Sequence, residues 1–227
     1  GAVEPFVNAG YPLDAEAILL CESDGTPEEV ADEIERMKAV MLASGATEVR
    51  VSQSETERVR FWAGRKNAFP AAGRVSPDYY CMDGTIPKRA LPQVLTAIAE
   101  LSKQYGLRCM NVFHAGDGNL HPLILYDANQ PGELARTEEF GAKILKLSID
   151  VGGTITGEHG VGVEKIDSMC DQFRAPELAM FHAVKQAFDA GGRLNPGKAV
   201  PTLHRCAEMG RMHVHGGQEK FPDLPRF

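Results

Sequence analysis

Apolar residues recur along the chain in two periods, and these periods lay out its elements. Val30, Ile34, Met37 and Met41 fall at helical spacing, as the buried stripe of a 3.6-residue repeat does. Thr26-Pro27-Glu28-Glu29 stands just ahead. The threonine caps, the proline fits the first turn and Glu29 completes a capping box. Gly45 supplies the stop. Ser54-Glu55-Thr56-Glu57 is a second capping box and predicts a helix through Trp62 and Arg65 to about Phe69. Val94, Leu95, Ile98 and Leu101 set a third helix over residues 91–105, and two more are expected over about 131–151 and 175–190. Strand-sized apolar runs lie between them at 16–22, 48–52, 79–86, 107–113 and 120–126, with a short strand set in glycines at 152–162.

The resulting order is β-α-β-α-β-α-β-β-α. Alternation broken by one hairpin predicts an α+β fold, with a mostly antiparallel sheet and helices on one face, of the ferredoxin-like split βαβ kind. A C-terminal helical segment and a tail follow. A doubly wound sheet fits less well, because no GxGxxG turn follows the first strand. Residues 1–200 read as one domain and 201–227 as an extended tail containing His204, His213 and His215. The chain starts with Gly1 and a loop-like segment, so the natural protein is expected to begin further upstream.

Composition narrows the classes. The chain has 227 residues, 43% hydrophobic and 24% charged, as in a globular protein. No apolar run reaches membrane-spanning length. The net charge of -7, with scattered lysines and arginines, argues against nucleic-acid binding. Cys21, Cys81, Cys109, Cys170 and Cys206 are odd in number and widely spaced, and are expected to be reduced, buried side chains.

Four segments carry candidate chemistry. In His114-Ala-Gly-Asp-Gly-Asn-Leu-His121, Asp117-Gly118 is a preferred two-residue hairpin turn. A turn there would set His114 opposite His121, close enough to share a metal ion. The alternative is two half-exposed histidines that bind nothing. Gly157-Glu158-His159-Gly160 puts a carboxylate beside an imidazole on backbone that can bend sharply. His114, His121 and Glu158 would form a His2Glu set with an open position, and His159 would stand beside it as a base; a solvated loop is the alternative. Arg65 could clamp a carboxylate or merely decorate a helix. Asn195-Pro-Gly-Lys198 is otherwise a turn with a surface lysine.

Together these segments resemble the C-terminal domain of the FAD-linked oxidase family, which includes D-lactate dehydrogenases, the flavin subunit of glycolate oxidase and D-2-hydroxyglutarate dehydrogenases. The matching motifs are Gly10-Tyr-Pro-Leu-Asp-Ala-Glu-Ala17, Trp62-Ala-Gly-Arg-Lys66, His114 to Pro122, Gly152 to Gly162 and Leu194-Asn-Pro-Gly-Lys198. They occur in the family's order over about residues 10–200. Asp78-Tyr-Tyr-Cys-Met-Asp-Gly-Thr-Ile-Pro87 brings the likeness nearest the glycolate oxidase type.

The resemblance implies FAD, held mainly by an N-terminal domain that this chain does not include, and a divalent metal, zinc or manganese, on His114, His121 and Glu158. It implies His159 as base, Arg65 and Asn119 as substrate contacts, and Asn195 and Lys198 on the flavin side. Leu123 replaces an asparagine of the hydroxyglutarate enzymes, and their lysine near residues 79–83 is missing. Both departures point to glycolate or D-lactate. The implied setting is cytoplasmic, peripheral to the inner membrane through partner subunits, with an iron–sulfur subunit and a homodimer as candidate assemblies. The chain alone is expected to bind FAD weakly and to be inactive. A metal-binding or interaction module without redox activity, and a zinc hydrolase using Glu158 or His159, are the readings from other classes.

Overall fold

The computed structural model describes residues 1–201, and the chain forms two compact units, Gly1–Pro77 and Asp78 onward. The first contains α1 (Glu4–Val7), α2 (Pro27–Ala43), α3 (Glu55–Lys66) and α4 (Ala68–Ala72). Helix α2 begins on the expected capping box. Thr26 Oγ1 accepts from the Glu29 N–H at 3.4 Å, and Glu29 Oε2 accepts from the Thr26 N–H at 2.9 Å. Val30, Ile34, Met37 and Met41 lie on its less exposed side. Ser54 caps α3 through the Glu57 N–H.

Two expectations for this unit fail. The helix expected to reach Phe69 stops at Lys66 and restarts as α4. Pro70 lacks an N–H and its ring would clash with the Lys66 carbonyl, so one continuous helix cannot form. The runs at 16–22 and 48–52 join no strand ladder among the described residues. Ile18 and Leu19 are 49% and 59% exposed. An apolar run permits extended backbone but does not supply the hydrogen-bonding edge that a strand requires.

The second unit contains β1 (Asp78–Cys81), β2 (Gly84–Thr85), α5 (Leu91–Tyr105), β3 (Cys109–His114), β4 (Asn119–Tyr126), α6 (Glu133–Asp150), α7 (Ser168–Gln172) and α8 (Ala175–Phe188). All strand pairings are antiparallel to the central β4. Strand β3 takes one edge of β4, and β1 and β2 share the other. The expected strand at 79–86 is thus interrupted at Met82-Asp83, although the Met82 N–H still donates to the Pro122 carbonyl at 3.1 Å and keeps one register. The order β-α-β-β-α and the antiparallel sheet agree with the expected α+β class. Among the described residues one βαβ element is built, because the runs expected to supply another join no ladder there.

Strand alternation divides the two faces of this sheet. Leu120 and Ile124 of β4 join Met82, Val94, Ile98, Phe140 and Ile144 in a core under α5 and α6. The other face of β4 carries Asn119, His121, Leu123 and Leu125, all buried. The glycine segment 152–162 forms a single bridge, Thr85 to Thr154, rather than a strand. The tail expected over 201–227, with its three histidines, lies outside the described residues apart from Pro201. No helix among the described residues is long and apolar enough to cross a membrane.

Candidate metal and substrate site

The sheet face turned away from the α5/α6 core gathers the candidate chemistry. Strand pairing sets Val112 opposite His121, His114 opposite Asn119, Thr85 opposite Asn119 and Cys81 opposite Leu123. Opposed residues share a face, so His114, Asn119, His121, Cys81 and Thr85 all project to one side.

This register corrects the expected one. His114 faces Asn119 across a four-residue loop and does not face His121. The Asp117 and Gly118 N–H groups both donate to the His114 carbonyl at 3.1 Å. Gly118 has φ of +75°, while Asp117 is not among the positive-φ residues. A two-residue turn of type I′ needs positive φ at both positions, so the loop closes two residues wider. The histidines become diagonal neighbours on the same face. Their rings are 5.5 Å apart, edge to face.

The 152–162 segment brings the remaining groups. The Thr85 and Thr154 N–H groups each donate to the other's carbonyl, at 3.1 and 2.8 Å, anchoring its start to β2. Buried Asp83, in the gap between β1 and β2, then captures the next turn. Its carboxylate accepts from Thr156 Oγ1 (2.8 Å) and from the N–H groups of Gly157 (3.1 Å), Glu158 (3.2 Å) and His159 (2.9 Å). Lys165 Nζ, also buried, lies 3.2 Å from Asp83 Oδ2. Burial by itself would raise the Asp83 pKa. The Thr156 hydroxyl, the His159 and Glu158 N–H groups and the Lys165 cation together outweigh it and hold the carboxyl well below its usual range.

The turn so fixed aims Glu158 and His159 at the sheet. Glu158 Oε1 lies 2.8 Å from His121 Nε2, 3.5 Å from His159 Nε2 and 4.0 Å from His114 Nε2. The His121 and His159 rings stack at 4.8 Å. His121 is 2% exposed, while the side chains of His114, His159 and Glu158 are about half exposed. Burial lowers the His121 pKa, and the Glu158 charge only partly offsets it. This shift favours the neutral ring, the form that ligates a metal. Donor atoms of Asp83, His121, Glu158 and His159 all lie within 4.8 Å of one another, as do those of Cys81, His121 and His159.

Beside this cluster opens a cleft of about 300 Å³ lined by Thr85, His114, Asp117, Asn119, Gly157 and Glu158. Asn119 is buried, and its Oδ1 has no hydrogen-bond partner among the described residues. A polar atom in that state costs free energy unless something enters to meet it.

The structure therefore brings together His114, His121, Asn119, Glu158 and His159. Arg65 is in the last turn of α3, in the first unit. Asn195 and Lys198 occupy an exposed turn after α8, where Lys198 Nζ donates to Asn195 Oδ1 at 3.2 Å; neither lines the cleft. The Ala199 N–H donates to the Gly162 carbonyl at 2.8 Å and ties that turn to the glycine segment. Sequence reasoning missed Asp83, Thr156, Lys165 and Cys81. The available signal was Asp83 itself, a residue type depleted from strands, in the middle of a predicted strand. The expectation of buried cysteines also needs correction: among the described residues Cys21 is exposed, and Cys81 and Cys109 are half-buried free thiols.

Residues 2–199 match the family described as FAD linked oxidases, C-terminal domain. The chain is 67% identical over 226 residues to the glycolate oxidase subunit GlcD of Escherichia coli K12, covering 100% of this chain and 45% of that protein. It is 35% identical over 196 residues to the Bacillus subtilis subunit of the same name, covering 86% and 42%. It is 31% identical over 198 residues to a D-lactate dehydrogenase of Anaerostipes hadrus, covering 83% and 41%. The chain thus spans less than half the length of these curated relatives. The 4-ethylphenol oxidase of Gulosibacter chungangensis, solved as an isoeugenol complex, shares the fold with a TM-score of 0.53 at 16% identity, over 78% of this chain and 38% of that one.

Proposed function

This chain belongs to the family of FAD linked oxidase C-terminal domains, and from that premise we propose that it is the metal- and substrate-holding portion of a flavin-dependent 2-hydroxy-acid dehydrogenase acting on glycolate or D-lactate. The observation that carries the reading is the convergence of three imidazole Nε2 atoms on Glu158 Oε1 beside the Asn119 cleft.

Two imidazoles and a carboxylate form a mixed nitrogen–oxygen donor set that suits zinc or manganese. His114, His121 and Glu158 would hold the ion. The buried His121 imidazole and the unpartnered Asn119 Oδ1 fit a site that takes up a cation and a polar ligand. When bound, the metal supplies Lewis acidity to a hydroxyl oxygen and the flavin supplies a hydride acceptor.

The chain's own groups do the rest. His159 Nε2, exposed beside the cleft, takes the hydroxyl proton as general base. Asn119 orients the substrate from the buried wall. Arg65 clamps the carboxylate, a role that rests on the family resemblance alone. Asn195 and Lys198 offer an amide and an ammonium on one exposed turn, suited to a flavin's carbonyl oxygens.

The Escherichia coli and Bacillus subtilis relatives are named as subunits. We extend that to an assembly in which further subunits, an iron–sulfur protein among them, carry electrons away and draw the protein to the inner membrane's cytoplasmic side. The test is dye reduction by the intact protein with glycolate, D-lactate and D-2-hydroxyglutarate. The first two should give the higher kcat/KM; a preference for hydroxyglutarate would overturn the substrate assignment.

A further inference from the structure

We infer that Asp83, neutralised by Lys165, is a positioning residue that fixes Glu158 and His159 in the geometry the metal cluster needs. This inference rests on the metal reading above and extends it to groups that touch neither substrate nor cofactor.

The hydrogen bonds make Asp83 an anchor for the turn, chiefly through its Oδ2. Its Oδ2 receives hydrogens from Thr156 Oγ1, the Gly157, Glu158 and His159 N–H groups and Lys165 Nζ. An oxygen so surrounded is committed to the turn, while Oδ1 accepts from the Glu158 N–H at 3.2 Å. The Asp83 main chain holds the same partners, its carbonyl accepting from the Gly157 N–H at 3.0 Å and from Lys165 Nζ at 3.3 Å. Thr156 Oγ1 also accepts from the Gly160 N–H at 2.9 Å and closes the far end of the turn.

Three consecutive N–H groups pointed at one carboxylate leave little freedom at 157–159. The side chains of Glu158 and His159 are half exposed and packed on one side only, against His121. We take their placement to depend on the backbone, which Asp83 holds. Lys165 meets the resulting buried charge: its side chain is 4% exposed and Asp83 is fully buried. Supporting groups of this kind orient first ligands, and their loss typically weakens metal affinity about 10–100-fold.

The test compares Mn2+ and Zn2+ dissociation constants for the intact protein, the double variant Asp83→Asn/Lys165→Met and His121→Ala. The double variant removes both charges together, so no uncompensated ion is left buried. Weakening of about 10–100-fold in a folded double variant, with binding abolished in His121→Ala, is the expected result. A purely structural role would lower the unfolding midpoint and leave affinity alone. An affinity within about threefold of the parent, with His121→Ala still losing metal, overturns the positioning role and leaves the metal site standing. Parent-like binding by His121→Ala removes the metal reading and this inference with it. If the double variant does not fold, Thr156→Val takes its place, since it deletes one donor to Asp83; unchanged affinity there overturns the inference.

Discussion

Glu158 Oε1 lies 2.8 Å from the buried Nε2 of His121, and the exposed imidazoles of His159 and His114 point their Nε2 atoms at the same oxygen from 3.5 and 4.0 Å. One of these side chains is buried within a central strand, and the others approach from the solvent side. Exchange of a substrate oxygen onto such a centre would not disturb the sheet. The proposed division of labour follows from this asymmetry, with His121 as the fixed ligand and His159 as the group free to move a proton.

That division predicts the behaviour of His159→Ala. In the intact protein, hydroxy-acid turnover should fall by about 10²–10⁴, the usual worth of a general base, while metal content stays near that of the parent. Near-normal turnover would remove His159 from the base role.

Gly157 is packed where a side chain does not fit. A Cβ there would run into Asn119 Oδ1 and Thr85 Oγ1. Gly157→Ala should cost about 1–3 kcal/mol, as overpacking does, and should raise KM because Asn119 is displaced from the cleft wall. Urea unfolding and steady-state kinetics test the two effects separately. Unchanged stability and KM would mean that the turn relaxes without touching Asn119.

Much of this was legible in the sequence wherever the determinants are local. The capping box at Thr26 and Glu29, the stripe on α2 and the helix over 91–105 depend on residues within a few positions of one another, and they appear as expected. The hairpin was legible as a hairpin, but its register was not. Register depends on the φ adopted by Asp117, which the Asp-Gly pair only biases. The runs at 16–22 and 48–52 have strand composition, but a ladder needs an edge from elsewhere in the fold. Asp83 was legible only as an acidic residue out of place in a strand, because the partners it anchors at 156–159 and 165 lie far along the chain. A carboxylate that meets its donors only after folding leaves no periodic trace.

The cysteines give a direct check on the packing. Burial pushes the Cys109 thiol up to about 12 and the Cys81 thiol up to about 11, and thiolate is the reactive form. At pH 8 a maleimide should label exposed Cys21 quickly and leave Cys81 and Cys109 unlabelled until denaturant is added. Rapid native labelling of Cys109 would contradict the packing of β3 under the helices.

Asp189, just past α8, tests the electrostatics. Lys185 Nζ and the N–H groups of Arg193 and Leu194 hold its carboxyl down at about 2. Its pKa in an unfolded chain is about 3.9. A depressed carboxylate stabilises the fold above the unfolded value and loses that contribution as pH falls through the folded one. The Arg193 and Leu194 amides should therefore stay protected from hydrogen exchange at pH 5 and lose protection progressively between about pH 4 and pH 2. Protection that does not change over this range would show that the turn is held by other contacts.

The central claim is that His114, His121 and Glu158 hold a divalent cation, and elemental mass spectrometry tests it most directly. The measurement is metal per chain in the intact protein and in its His121→Ala and Glu158→Gln variants, each after equilibration with zinc or manganese and removal of free ion. The expected result is about one ion per chain in the parent, as a single three-ligand site requires, with near-complete loss in His121→Ala and substantial loss in Glu158→Gln. Parent-like metal content in both variants would contradict the account.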